Sequence, residues 1–158
     1  MKKMLQTALD AIDAPAAEAH CDGPCGIYDP ATARITGEAV RSMTKKMLDS
    51  HVPDSSDDGA WASYLNTMSR FAAIKEEQAE ATKHELLVLW TDYFKPDHLA
   101  AYPDLHEVFW TAAKQCSATK QNVDLDAANG LMDSIKKIHD MFWESKGRDV
   151  AWELAAPQ

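Results

Sequence analysis

From about Pro30 onward, apolar residues recur at spacings of three, four and seven, the repeat of amphipathic helices. Asp29 followed by Pro30 is an N-cap with Pro at the first helical position. It opens a helix to about Ser50, with Ile35, Ala39, Met43 and Met47 on one face. Gly37 is a weak point inside it, costing about 1 kcal/mol relative to Ala. The polar stretch from His51 to Gly59 is a linker. A second helix runs from about Ala60 to Tyr93, carrying Tyr64, Met68, Phe71, Ile74, Ala81, Leu86, Leu89 and Trp90. Pro96 and Pro103 bound a loop. Asp104 can cap a third helix with Leu105, Val108, Phe109, Ala112, Ala113 and Cys116. Asp124 or Asp126 can cap a fourth with Ala128, Leu131, Ile135, Ile138 and Phe142. With no strand signal, the prediction is all-α: an antiparallel four-helix bundle over residues 30–146. The tail, 147–158, has Trp152 and Leu154 but no clear period. It is expected to be disordered or to dock on a neighbour.

Composition narrows the class. The 158 residues suit one domain with a sizeable core. No stretch approaches the ~20 apolar residues of a membrane span. The formal charge of -9 argues against nucleic acid or an anionic membrane as partner. Residues 1–19 differ from the rest. Lys2 and Lys3 are followed by Gln6, Asp10 and Asp13, so no apolar secretory core is present. Met4, Leu5, Ala8, Leu9 and Ile12 fit one face of a short helix. Ala17-Glu18-Ala19 is a boundary of small residues. If the chain is cut after Ala19, His20 becomes the first residue and gains a free α-amine. The cytoplasm is the expected location.

The chemistry concentrates directly behind that boundary, in His20-Cys21-Asp22-Gly23-Pro24-Cys25. Two thiols and an imidazole in one tight turn are ligands of soft and borderline transition metals. Zinc ribbons need two separated ligand pairs, and here there is one close pair with Cys116 far away. Thioredoxin-type sites use Cys-x-x-Cys beside a βαβ unit, which this is not. The six residues alone leave open a surface loop with incidental cysteines.

The longer run His20 to Pro30, of pattern H-C-x-x-P-C-G-x-Y-D-P, resembles the amino-terminal metal-binding hook of nickel-containing superoxide dismutases. Leu89-Trp90-Thr91-Asp92-Tyr93-Phe94-Lys95-Pro96 and Phe142-Trp143-Glu144 are also similar to that family. The resemblance spans about His20 to Lys146. It implies a superoxide dismutase working between Ni(II) and Ni(III), with one nickel ion per subunit. The implied metal ligands are His20, through α-amine and imidazole, Cys21, through thiolate and backbone amide, and Cys25. The implied hook is 20–29, and 1–19 is a propeptide that a maturation peptidase removes to free the amine. Gly23-Pro24 is implied to be cis. Asp22 is placed to hydrogen-bond amides inside the hook. Tyr28 and Tyr93 resemble the tyrosines that restrict access to the metal, and the family assembles as a homohexamer. Because superoxide is an anion, a basic residue must draw it in against the global charge. Lys95 is the best placed, while Lys45 and Lys46 read as a solvated face.

Two positions depart from the family pattern. Where better-known members brace the axial imidazole with a glutamate and an arginine, this chain has Thr36 and Gln78. Of the other histidines, His98, His106 and His139 read as surface or capping residues, and His84 with Glu80 lacks the motif of di-iron bundles. Cys116 reads as a buried structural thiol. Two other function classes stay open: a nickel-binding or storage protein without turnover, and a helical interaction protein.

Overall fold

The structure, a computed structural model, describes residues 26–54 and 56–155. The leader, its short helix, the Gly23-Pro24 peptide and the candidates His20, Cys21, Asp22 and Cys25 lie outside those residues. The described residues form four α-helices: α1 (Ala31–Leu48), α2 (Asp58–Val88), α3 (Leu105–Gln121) and α4 (Leu125–Ser145). Each helix packs on its two neighbours in the ring, with α1 against α4 closing it. This is the predicted antiparallel bundle, and no strand occurs among the described residues.

Start signals sit close to where the sequence puts them. α1 starts one residue later than the Asp29-Pro30 signal puts it: Pro30 is the cap, its carbonyl accepting the first helical bond from Arg34, while the Asp29 carboxylate accepts from Ala31 N–H at 2.8 Å. Asp124, rather than Asp126, caps α4, accepting from the amides of Asp126 and Ala127. Asp104 precedes α3, but its side chain makes no cap bond; its carboxylate pairs with Lys137 of α4 instead. The centre of the bundle is filled by Leu86, Leu105, Phe109, Leu131, Ile135, Ile138 and Phe142. Full burial of each such side chain contributes about 1.5–3 kcal/mol.

The inward face of α1 is not the expected one. Ala33, Thr36, Gly37, Val40 and Thr44 point into the bundle, while Ile35 is 51% exposed. Close approach explains the exchange. A Cβ on Gly37 would lie 2.6 Å from Ile135 Cδ1 and 3.1 Å from Met132 Sδ. Small residues therefore take the seam with α4. The inward hydroxyls of Thr36 and Thr44 are satisfied by carbonyls of their own helix. The first half of α2, from Asp58 to Ile74, contains no buried residue.

The tail also corrects the expectation. Val150, Trp152 and Leu154 pack against the bundle core of their own chain. The Ala155 amide donates to both carboxylate oxygens of Glu38, at 3.0 and 2.9 Å, and Glu38 is buried beside Arg34. His139, expected at the surface, is buried at 5% exposure. Its Nε2 lies 2.9 Å from the Val150 carbonyl, which can only accept, so the ring donates. Trp152 meets that ring edge-on at 5.2 Å.

One buried charge locks α2 to α3. The ammonium of Lys75 donates to the carbonyls of Thr119, Lys120 (3.0 Å) and Asn122 (3.0 Å). These belong to the last turn of α3 and its cap, where carbonyls lack helical partners and the helix dipole is negative. Burial holds the lysine below its ordinary pKa, with Glu76 opposing the shift. Lys75→Met keeps most of the volume and removes the donors. It is expected to lower unfolding free energy by ~3 kcal/mol, because buried acceptors are left unpaired. Urea denaturation of the full chain measures this, and an unchanged midpoint would mean the clamp contributes nothing.

Candidate metal centre

The described chain begins one residue behind Cys25, at Gly26, whose φ of +64° is a left-handed turn suited to glycine. Ile27 is exposed and Tyr28 turns inward, half-buried against the core. The Tyr28 ring lies 5.6 Å from that of Tyr93, the planes inclined by 56°. The structure thus brings Tyr93 against Tyr28, which lies three residues after Cys25.

The end of α2 positions Tyr93. Directly after α2, Leu89–Tyr93 forms one turn of π-helix in which Phe94 N–H reaches back five residues to the Leu89 carbonyl, at 3.1 Å. Such turns re-aim the residues that follow and are frequent at functional sites. Pro96 prevents continuation. Behind the turn, Lys95 and His98 exchange bonds: Lys95 N–H donates to His98 Nδ1, and His98 N–H to the Lys95 carbonyl, both at 2.9 Å. His98 is therefore a capping residue, as read, and its ring also stacks on Tyr93 at 5.8 Å. Phe142 stands 4.5 Å from Tyr93 on another side.

Lys95 contributes its backbone to this arrangement, and its side chain is exposed. The cation set against the Tyr93 ring is Lys146, whose Nζ lies 5.3 Å from the ring centroid and 4.7 Å from that of Phe142. The Tyr93 hydroxyl is 2.6 Å from Ser145 Oγ. Sequence reading missed Ser145 and Lys146. The signal available was their position directly behind Phe142-Trp143-Glu144.

At the two departed positions the structure shows a neutral arrangement. The hydroxyls of Thr36 and Thr82 are 2.8 Å apart between α1 and α2, both buried. Thr82 Oγ1 is also 2.7 Å from the Gln78 carbonyl. Thr82 is one helical turn from Gln78 and was not singled out. Among the described residues no cluster of three or more His, Cys, Asp or Glu could hold a metal, and every donor named for one precedes Gly26. No helix among them is long and apolar enough to cross a membrane.

A family model described as nickel-containing superoxide dismutase matches residues 15–146. A superoxide dismutase [Ni] of Streptomyces seoulensis is 44% identical over 128 residues, covering 81% of this chain and 88% of that protein. The corresponding protein of Streptomyces coelicolor is 41% identical over the same span. Among solved structures, nickel-containing superoxide dismutase with ligation corresponding to the oxidised state aligns with a TM-score of 0.69 at 42% identity. It covers 81% of this chain and 99% of that one. The native nickel enzyme aligns equally well, at 40% identity over 80% and 99% of the two chains. The class is superoxide dismutase, an oxidoreductase. Within it, this chain belongs to the nickel-containing superoxide dismutase family.

The remaining cysteine is set apart from this site. Cys116 is fully buried on α3, and burial pushes its thiol up to about 12. At pH 8 only about one molecule in ten thousand would carry the thiolate. Cys116 is expected to resist thiol reagents in the folded protein and to react only on unfolding. Site-mapped mass spectrometry after alkylation at pH 8, with and without urea, checks this.

Proposed function

We propose that this chain disproportionates superoxide at a nickel site in its amino-terminal hook. One superoxide is oxidised to dioxygen; a second is reduced and takes up two protons to give hydrogen peroxide. The observation that carries the reading is Tyr28, three residues behind a His-Cys-Cys donor run, standing against Tyr93. The names and high coverage of the relatives support it.

The donor set fits nickel: two thiolates, an imidazole and an amine are strong ligands, and tetragonal N/S coordination suits nickel(II). His20, Cys21 and Cys25 would hold one ion per subunit. When bound, nickel supplies one-electron redox chemistry between its +2 and +3 states. Asp22 hydrogen-bonds amides within the hook. Tyr28 and Tyr93 confine access to small species and hold water. Lys95 draws in the anion. The Thr36–Thr82 hydroxyl pair and Gln78 supply neutral surroundings where the family pattern implies a charged brace.

The leader, 1–19, is a maturation switch: an amine tied in a peptide bond cannot coordinate as an amine, so a peptidase must cut after Ala19. The hook is too short to hold its geometry alone, and a homohexamer packs it against neighbouring subunits. The mature protein acts in the cytoplasm.

The deciding comparison is between the full chain and a chain starting at His20, each loaded with nickel. Only the shorter form is expected to bind one nickel per chain and to remove superoxide. Equal binding without turnover by either would instead make the hook a nickel-binding or storage loop. No nickel in either form would leave the helical interaction protein. Light scattering of the loaded shorter form is expected to give six times the chain mass; a monomer contradicts the hexamer.

A further inference from the structure

The last turn of α4 fixes where the proton of Tyr93 goes. Ser145 Oγ lies 2.7 Å from the Phe142 carbonyl and 2.6 Å from the Tyr93 hydroxyl. A carbonyl only accepts. At this helix end the Phe142 carbonyl is in need of a donor, because the Lys146 amide turns to Trp143 and Glu144 and the Arg148 amide to Trp143. Serine has one proton, and it is committed to Phe142. Its oxygen must then accept from the phenol.

We propose that Ser145 is a positioning residue that makes Tyr93 a hydrogen-bond donor to α4, and hence an acceptor toward the site. This deepens the dismutase reading and rests on it. With its proton held by Ser145, Tyr93 cannot hand that proton to a reduced oxygen species without breaking a short bond. Its lone pairs are left to receive a bond from water or from a protonated product. The two protons that peroxide formation consumes come from elsewhere, from solvent or from another group of the hook. Lys146 reinforces the arrangement by standing over both Tyr93 and Phe142. The ring cannot swing away without losing that contact.

The test has a spectroscopic arm and a kinetic arm. Ultraviolet resonance Raman spectra report, through the tyrosine ring doublet, whether a phenol donates or accepts. The difference between the native chain and Tyr93→Phe isolates Tyr93, in metal-free and nickel-loaded protein alike. It is expected to show a strong donor, to lose that signature in Ser145→Ala, and to regain it in Ser145→Thr. In the nickel-loaded chain starting at His20, Ser145→Ala is expected to lower superoxide turnover about fivefold, the scale of one neutral hydrogen bond. Ser145→Thr restores it, and Ser145→Ala adds nothing in the Tyr93→Phe background. A role in folding alone would lower both backgrounds equally. An unchanged Raman signature in Ser145→Ala overturns the inference, as does an additive loss in the double variant. Full turnover by Tyr93→Phe, with the Raman shift still present, would leave the proton assignment standing and refute the role given to Tyr93.

Discussion

The bond from Phe94 N–H to the Leu89 carbonyl, one residue longer than an α-helical bond, sets the geometry of the whole site. It lets the turn after α2 set Tyr93 against Tyr28 and Phe142, with Phe94 buried beside Phe109. A regular turn would rotate these two aromatics together, sending one of them off its partners. Besides its neighbour Phe94, the described partners of Tyr93 come from other elements: Tyr28 from the segment before α1, His98 from the loop after the turn, Phe142, Ser145 and Lys146 from the end of α4. The bundle brings these ends to one place, so its stability and the site's precision are the same quantity seen from two sides.

Much of this was legible in the residues. Helix number, order and starts followed from apolar spacing and from Asp29-Pro30 and Asp124, because capping is local chemistry. The two tyrosines were found through the pattern around them. What failed did so for tertiary reasons. The inward face of α1 is built from Thr36, Gly37 and Thr44, which no hydrophobic count selects; only the approach of Ile135 makes small residues the right ones there. His139 looked polar enough for the surface, yet a carbonyl eleven residues on satisfies its ring inside. The π-turn was invisible because its residues have the same apolar spacing as a regular helix.

The charge pattern carries the same lesson. The sequence reading set Lys95 against a formal charge of -9, because it follows Tyr93 directly. In the fold, the ammonium over the Tyr93 ring comes from Lys146, fifty-three positions away, and the most buried lysine among the described residues, Lys75, serves the end of α3. Neither placement can be read from neighbours in sequence, since both depend on which helix ends meet.

The tail contacts have a consequence in the order of synthesis. The Ala155 amide is made long after its anchor, Glu38, which stands in the first helix. While the chain is still being extended, Glu38 has Arg34 of its own helix, and the seam beside His139 waits for Val150 and Trp152. Domains acquire structure as the chain emerges, so the contact between Ala155 and Glu38 forms only after all four helices have been made. A chain cut before Val150 keeps its helices and its Arg34–Glu38 pair but loses the apolar cover that Val150, Trp152 and Leu154 give one flank of the bundle.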